Sequence, residues 1–179
     1  MNTNKYPPAM RVLHWVTGLM IIGMIGVGFY MANIPMDAPD KYTLYPWHKS
    51  FGLIVMLLVL IRLPVRWRGP LPDTAPGLQV WEQKLSHVVH ILLYVAMLTM
   101  TFSGYLMSSF HPQVNGVDMF GWFTFPDLTP KSKDLSGAMH ELHEICAITF
   151  CLLLVLHIGG VIKHRFFDGP GKDVLQRML

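Results

Sequence analysis

Charged residues are nearly absent from four stretches of the chain, and these stretches define its predicted architecture. No Asp, Glu, Lys or Arg occurs at 12–36, 50–61, 85–117 or 145–162. A helix needs about 20 apolar residues to cross the hydrocarbon core of a bilayer. The pattern therefore predicts four membrane-spanning helices, at about 10–32, 46–64, 85–110 and 140–162.

The second predicted helix has the shortest charge-free stretch. The twelve residues from Ser50 to Ile61 are too few to cross a bilayer as a helix. The helix reaches spanning length over 46–64 if Lys49 and Arg62 extend their side chains toward opposite membrane surfaces. Pro46 then fits the first turn of this helix and Pro64 fits its end.

The connections between these helices are rich in proline, glycine and polar residues. They predict surface loops at 33–45, 66–80 and about 111–136. In the last loop, the aromatic segment GWFTFP is a candidate for a position on the membrane surface. The predicted fold is all-α, a four-transmembrane-helix bundle that forms one domain over residues 1–179.

The distribution of basic residues predicts the orientation of the bundle. Four crossings place both termini on one side, and ten of the Lys and Arg residues, including Arg62, fall on that side. The opposite side holds only Lys41, Lys49, Lys131 and Lys133, together with most of the acidic residues. Because basic residues concentrate on the cytoplasmic side of membrane proteins, both termini are predicted to be cytoplasmic.

The composition supports a membrane protein and excludes several other classes. Hydrophobic residues make up 52% of the 179 residues and charged residues only 14%, about half the usual charged share. The net charge of +3 is too small and too dispersed for nucleic-acid binding. The two cysteines, Cys146 and Cys151, form no C-x-x-C-H or zinc-type spacing, which favours small buried apolar roles for both.

The nine histidines of the chain are its main candidates for metal-binding or redox chemistry. Ionisable side chains inside membrane spans indicate function because their burial is costly. His143 and His157 lie fourteen positions apart in the last predicted helix. They are therefore about 21 Å apart along its axis, on nearly the same face. One helix with a histidine near each membrane surface would suit two stacked haems.

The other histidines supply partners at matching depths. His48 shares the outer level with His143, and His14 shares the inner level with His157. Each pair offers two neutral imidazoles to one iron, as in b-type haem sites built inside helical bundles. A small residue follows three of these histidines by one turn, which leaves room for a flat macrocycle; these residues are Gly18, Gly52 and Ala147.

Several alternatives remain open for individual histidines. Any one of them alone is as compatible with a hydrogen bond to a neighbouring helix as with metal ligation. His87 is predicted to lie in the wet interface. For His90 three roles remain open: the wet interface, a quinone pocket and contact with haem propionates. His140 lies one turn from His143 and competes with it as a ligand. The sequence H-E-L-H lacks one residue of the zinc-peptidase spacing.

The chain resembles the bacterial cytochrome b561 family, which consists of small four-helix, di-haem inner-membrane proteins. The family is related to the cytochrome b subunits of formate dehydrogenase and nickel-iron hydrogenase. The resemblance covers nearly the whole chain. It is carried by L-H-W at 13–15, W-H-K-S-F-G at 47–52, L-x-H-x-x-H at 85–90, H-E at 143–144 with His157 fourteen residues on, and H-R-F-F at 164–167.

The resemblance implies a set of ligands and partners. His14 and His157 would hold the iron of the inner haem b, and His48 and His143 that of the outer one. A ubiquinone site near the inner haem is implied, with His164 as its candidate residue. Some family members are implied to oxidise superoxide on the outer side. Attraction of the superoxide anion would be favoured by positive charges on the outer side, which is net acidic. The candidates for these charges are Lys41, Lys49, Lys131 and Lys133.

The leading functional hypothesis is electron transfer across the bacterial inner membrane. Two haems would pass electrons between a periplasmic redox partner, or superoxide, and the quinone pool of a respiratory chain. One alternative is a haem-free carrier of protons or metal ions that uses the histidines as a relay. Another is a cytochrome b anchor subunit of a larger redox complex. A homodimer also remains open.

Overall fold

The computed structural model describes residues 5–35, 37–169 and 171–179, and four long helices dominate it. They are α1 (Pro8–Asn33), α2 (Pro39–Arg68), α3 (Val80–Phe110) and α4 (Lys133–Phe166). Each is long and apolar enough to cross a membrane. Large apolar residues in the middle of the helices point away from the bundle; Leu19, Leu57 and Val155 are 64%, 57% and 70% exposed. The predicted four-helix membrane fold is confirmed.

The helices extend beyond the predicted spans, most of all α2. The prediction that Pro46 and Pro64 mark the ends of α2 is wrong, because both lie inside the helix. Proline is tolerated within membrane helices where side chains and neighbouring helices satisfy the freed backbone groups. The Ser50 hydroxyl lies 2.9 Å from the Pro46 carbonyl oxygen, within the turn that follows this proline. The connection predicted at 33–45 is shorter than expected, because α1 ends at Asn33 and α2 already begins at Pro39.

Helix α4 also begins earlier than predicted, at Lys133 rather than near 140. Ser132 caps it, because its side chain accepts a hydrogen bond from the backbone N–H of Leu135 at 3.3 Å. Asp134 follows in the first turn, where a negative charge is favourable at the positive end of the helix dipole. These polar residues carried no hydrophobic signal, so the predicted boundary fell at the first apolar turn.

The bundle packs in chain order around an apolar centre. Close contacts join α1 to α2, α2 to α3 and α3 to α4. The buried residues between the helices form one cluster halfway along the bundle; it contains Ile21, Val55, Val59, Val89, Leu93, Ala96, Met97, Cys146, Phe150 and Leu153. Both cysteines are free, Cys146 buried in this cluster and Cys151 only half-buried.

The two ends of the bundle differ in what covers them. At one end, here called the terminal end, the two chain termini meet: the Trp15 indole N–H donates to the Met178 carbonyl at 2.9 Å. The Tyr6 N–H likewise donates to the Arg177 carbonyl at 3.0 Å. The short turn Leu175–Arg177 belongs to this end.

The opposite end, here called the hairpin end, is covered by the connection between α3 and α4. This connection contains two antiparallel strands, β1 (Val117–Met119) and β2 (Phe123–Phe125), paired in the register Val117 with Phe125. The hairpin is tied to α2 by Ser50, whose hydroxyl donates to the Asp118 carbonyl at 2.6 Å. Trp122, within the GWFTFP segment, is 86% exposed, and its position on a membrane surface stays a prediction.

Candidate functional site

A spacing of fourteen residues recurs in all four helices and produces two layers of inward-facing positions. Fourteen steps of about 100° return a side chain to within roughly 40° of its starting direction, about 21 Å along the axis. The terminal layer, near the chain termini, consists of His14, Arg62, His90 and His157. The hairpin layer, at the other end, consists of Gly28, His48, Gly104 and His143.

The positions halfway between the two layers are apolar. Each helix supplies one residue seven positions from both layers, and all four are buried; they are Ile21, Val55, Met97 and Phe150, which are 7%, 4%, 5% and 2% exposed. These residues belong to the central apolar cluster. The two polar layers are therefore separated by packed hydrocarbon.

The terminal layer gathers three imidazoles from three helices. The ring centroids of His14 and His157 lie 6.1 Å apart, and those of His90 and His157 lie 5.3 Å apart. The Nδ1–H of His90 donates to the Ser86 carbonyl at 2.6 Å. This bond fixes the tautomer of His90 and leaves the lone pair of its Nε2 unused by that contact.

Arg62 completes the terminal layer from α2. The prediction that its side chain extends to the membrane surface is wrong, since Arg62 is only 8% exposed. Its guanidinium donates to Nδ1 of His14 at 2.9 Å and to the Thr17 hydroxyl at 3.1 Å. It also lies over the Tyr94 ring, 5.4 Å from the centroid. A buried cation thus sits directly against one of the predicted iron ligands.

The hairpin layer brings two imidazoles together between two glycines. The His48 ring lies beside Gly28 of α1, and the His143 ring lies beside Gly104 of α3. The Nδ1–H of His143 donates to the Met100 carbonyl at 3.0 Å, and the Ser103 hydroxyl lies 3.2 Å from the same nitrogen. This arrangement leaves Nε2 of His143 free as a metal ligand, in the manner of many metal-bound histidines.

The glycines of the hairpin layer leave room that any side chain would fill. A Cβ atom on Gly104 would lie 2.9 Å from Cε1 of His143, and one on Gly28 would lie 3.5 Å from Cε1 of His48. The buried Nδ1 of His48 has no hydrogen-bond partner. Such an orphaned nitrogen is unusual in a folded protein unless a further group satisfies the site.

These features fit the predicted haem in both layers. His14 and His157 would hold the iron in the terminal layer, where their ring centroids lie 6.1 Å apart, and His48 and His143 would hold it in the hairpin layer. No atom lies within 4 Å of a Cβ built on Gly18, which agrees with the room predicted beside His14.

The remaining histidines of the prediction fall outside the two layers. His87 and His140 are both exposed. His140 is thus more exposed than His143, with which it was predicted to compete and which is half-buried; the competition stays a prediction. His87 lies at the surface, as expected for the wet interface.

His164, the predicted quinone residue, belongs to a polar cluster at the terminal end. Its Nδ1–H donates to the Asp168 carboxylate at 2.6 Å. Lys163 bridges the same carboxylate, at 3.0 Å, and that of Glu82, at 2.6 Å. Hydrogen bonds from His164 and Lys163 hold the pKa of the Asp168 carboxyl below its usual range. The Lys163 ammonium already occupies the centre of this cluster, so a metal ion there would have to displace it.

The lysines predicted for superoxide steering are mostly engaged with the protein itself. Lys41 is buried, and its ammonium donates to the Ile34 carbonyl at 3.1 Å. Lys131 forms an ion pair with Asp127 and donates to the Ser109 carbonyl at 3.1 Å. Lys49 is half-buried and Lys133 is exposed. The same parts of the chain carry six exposed acidic residues; these are Asp37, Asp40, Asp118, Asp134, Glu141 and Glu144.

The sequence predicted that His14 pairs with His157 and His48 with His143. It did not predict that His90, Arg62, Gly28 and Gly104 lie at the same two levels. The fourteen-residue interval that separates His143 from His157 in α4 also identifies these positions in the other helices. Arg62 follows His48 by fourteen residues, Gly28 follows His14 and Gly104 follows His90 by the same interval. The interval had been applied only between histidines.

Comparisons with known proteins agree with this architecture. A family model described as prokaryotic cytochrome b561 matches residues 5–179. Cytochrome b561 homolog 2 of Escherichia coli (strain K12) is 28% identical over 98% of this chain and 91% of its own length. Cytochrome b561 homolog 1 of the same organism is 22% identical over 98% of this chain and 97% of its own. The probable superoxide oxidase CybB of Yersinia pestis is 21% identical over 90% of this chain and 89% of its own.

The family match extends over nearly the whole chain, including all four helices and both histidine layers. The chain is therefore a multi-pass inner-membrane protein that belongs to the prokaryotic cytochrome b561 family, in which haem b serves membrane electron transfer.

Proposed function

We propose that this protein carries electrons across the inner membrane through two b haems, from a periplasmic donor to ubiquinone. The observation that carries the proposal is that each layer receives histidines from different helices, His14 and His157 in the terminal layer and His48 and His143 in the hairpin layer. His14 and His157 would hold one haem in the terminal layer, and His48 and His143 the other in the hairpin layer. When bound, each haem supplies reversible one-electron chemistry at its iron.

The chain's own residues would bind and orient these groups and exclude water from them. The Met100 carbonyl and the Ser103 hydroxyl orient His143, so that its Nε2 faces the site. Phe150 and the rest of the central cluster fill the space between the layers. This apolar packing keeps water and ions out of the space between the layers. The layers are about 21 Å apart along the axis, which is most of the thickness of the hydrocarbon core.

The proposed orientation has the terminal end in the cytoplasm. Ten of the fourteen basic residues lie toward that end, and nine remain when the buried Arg62 is removed from the count (10 − 1 = 9). Four lysines lie toward the hairpin end. The excess supports cytoplasmic termini, and it would place the donor on the hairpin side and quinone on the terminal side.

His164 is the proposed quinone-contacting residue, with His90 as a second candidate. Asp168 accepts a hydrogen bond from Nδ1–H of His164, so in the neutral ring Nε2 is left as an acceptor. It would accept a hydrogen bond from the quinol hydroxyl that forms when ubiquinone takes up electrons and protons. His90 lies in the terminal layer itself, 5.3 Å from His157 between ring centroids, and would contact a quinone only next to the haem.

The donor is proposed to be a cationic protein rather than the superoxide anion. The six exposed acidic residues of the hairpin end repel an anion and attract a cation.

The family's haem b argues against a haem-free carrier. The anchor-subunit alternative is separated from a self-sufficient cytochrome by whether the purified chain reacts with quinone unaided.

Replacing any proposed iron ligand should remove one haem and leave the other. We expect two haems per chain in the wild type, and one in His14→Ala, His48→Ala, His143→Ala and His157→Ala, because one imidazole cannot retain the iron against detergent. Haem would be counted per chain by reduced-minus-oxidised spectra of the purified protein. The exposed His140→Ala should keep both. Two haems in His48→Ala or in His143→Ala would rule out the hairpin-layer assignment.

Filling the space at Gly104 should disturb the hairpin layer alone. In Gly104→Val the new side chain overlaps the His143 ring, an overpacking that costs about 1–3 kcal/mol. We expect loss of one haem, measured by the same spectra, with the terminal-layer haem retained. Gly159→Val, on an open face of α4, is the control and should keep two haems. If Gly104→Val kept both haems unchanged, the close approach would have no role in haem binding.

Quinone reactivity should depend on His164. We expect His164→Gln to slow reoxidation of the reduced protein by a soluble ubiquinone analogue roughly tenfold, the effect of about 1.4 kcal/mol from one lost hydrogen bond. Stopped-flow spectroscopy of the haem bands measures the rate. His87→Gln, an exposed histidine of α3, is the control. A rate unchanged in His164→Gln and lowered in His90→Gln would move the site to His90.

The acidic hairpin end predicts how any reaction with superoxide responds to salt. Because the surface repels the anion, raising the ionic strength to about 0.15 M, where the Debye length is about 8 Å, should accelerate haem reduction by enzymatically generated superoxide. Glu141→Lys should also accelerate it at low salt. A rate that falls as salt is added would show attraction instead and would support superoxide as the physiological donor.

A further inference from the structure

Arg62 is a buried cation without an acidic partner. No carboxylate among the described residues forms an ion pair with it, and its contacts are the neutral His14, Thr17 and Tyr94. Its Nε is buried and has no hydrogen-bond partner within the described part of the chain. Removing a charge from water inside a membrane-spanning helix is costly unless a counter-charge compensates it. The charge of the Arg62 guanidinium is thus uncompensated unless an anion or an electron-accepting group lies beside it.

The two layers differ in this respect. The hairpin layer, formed by Gly28, His48, Gly104 and His143, contains no formally charged side chain. The nearest cation along α2, Lys49, interacts electrostatically with Asp127 of the covering loop. In the terminal layer the position that corresponds to His48 on α2 is Arg62 itself. One layer therefore carries a fixed positive charge within the bundle, and the other carries none.

Ligation by His14 would redirect this guanidinium. A guanidinium only donates hydrogen bonds, so Nδ1 of His14 is the acceptor in the present contact. If His14 binds iron through Nε2 as a neutral imidazole, its proton resides on Nδ1, which can then no longer accept. The guanidinium would need another acceptor. The carboxylates that a b-type haem carries are anionic, and arginine pairs with carboxylates through two parallel hydrogen bonds.

We propose that Arg62 is the fixed counter-ion of the terminal-layer haem and raises its reduction potential above that of the hairpin-layer haem. The inference rests on the proposed function, in which both layers hold haem. Reduction adds one electron to the iron and no proton. A nearby positive charge in a low-dielectric interior stabilises the more negative, reduced state. Arg62 would thereby direct electrons from the hairpin end to the terminal end.

The test is a spectroscopic redox titration of the purified holoprotein in which Arg62 is replaced. Arg62→Gln removes the charge and keeps hydrogen-bond donors, whereas Arg62→Lys keeps the charge. Arg68→Gln, exposed at the end of α2, changes the net charge equally and is the control. Each variant is also made in the His48→Ala background, where the single remaining haem is that of the terminal layer.

We expect Arg62→Gln to lower the terminal-layer potential enough to change electron sharing between the haems at least tenfold, which is about 59 mV for a one-electron couple. The hairpin-layer potential should not move, and Arg62→Lys and Arg68→Gln should stay near the wild type. Unchanged potentials in Arg62→Gln, or equal shifts of both haems, would overturn the proposal.

Two further results have defined meanings. If Arg62→Gln fails to retain the terminal-layer haem, Arg62→Lys decides: a retained haem at the wild-type potential supports the role of the charge, and loss of haem there overturns it. The haem count of the wild type tests the proposed function separately. A wild-type protein with one haem would refute the two-haem function, whereas two haems with no response to Arg62→Gln would refute only the role of Arg62.

Discussion

The structure depends on one geometric constraint, that an α-helix returns to nearly the same face after seven and after fourteen residues. Each of the four helices uses it to place one residue in the terminal layer, one in the apolar centre and one in the hairpin layer. In α4 these are His143, Phe150 and His157. A shift of one residue would turn a side chain by about 100°, away from the bundle axis. Both layers therefore form only when each helix keeps its register.

The cost of burying unpaired polar groups explains why the ends of the bundle are polar and its centre is not. Buried polar groups need partners, and the backbone offers few inside a regular helix. His143 finds one in the Met100 carbonyl and His90 one in the Ser86 carbonyl. His48 finds none for its Nδ1. At the centre, where an unsatisfied group would be most costly, Ile21, Val55, Met97 and Phe150 present only apolar surface.

Much of the fold was predictable because the physics of the bilayer is simple. The absence of charge identified all four helices, and their number and order are as predicted. Helix ends were harder to predict. Pro46 and Pro64 signal helix ends in water, but they lie inside α2, where packing replaces solvent as the source of hydrogen bonds and contacts. The β1–β2 hairpin, with three residues in each strand, is too short for a periodic signal.

The site was predictable only to the extent that its residues are chemically conspicuous. Histidines within apolar spans attract notice, and their depth along the helices predicted how they pair, which stays a prediction. Glycine carries no chemistry, so Gly104 becomes visible only through the contact that a side chain there would make with His143. Arg62 was placed at the membrane surface because arginine usually extends there. The hydrogen bonds to His14 and Thr17 that hold it inside join α2 to α1 and cannot be read from α2 alone.

A buried cation at one layer answers a problem that the proposed orientation creates. The cytoplasmic side of an energised inner membrane is electrically negative, and carrying one charge across the whole membrane against it costs about 2.3 kcal/mol per 100 mV. The layers are about 21 Å apart in a hydrocarbon core of about 30 Å, so an electron that moves between them opposes roughly two-thirds of that potential. Two identical haem sites would leave the electron on the outer one. An asymmetric charge inside the bundle offsets the field, and among the described residues Arg62 is the only Lys or Arg within the two layers. Inward electron transfer thus requires chemically unequal layers, and α2 makes them unequal by placing histidine at one depth and arginine at the other.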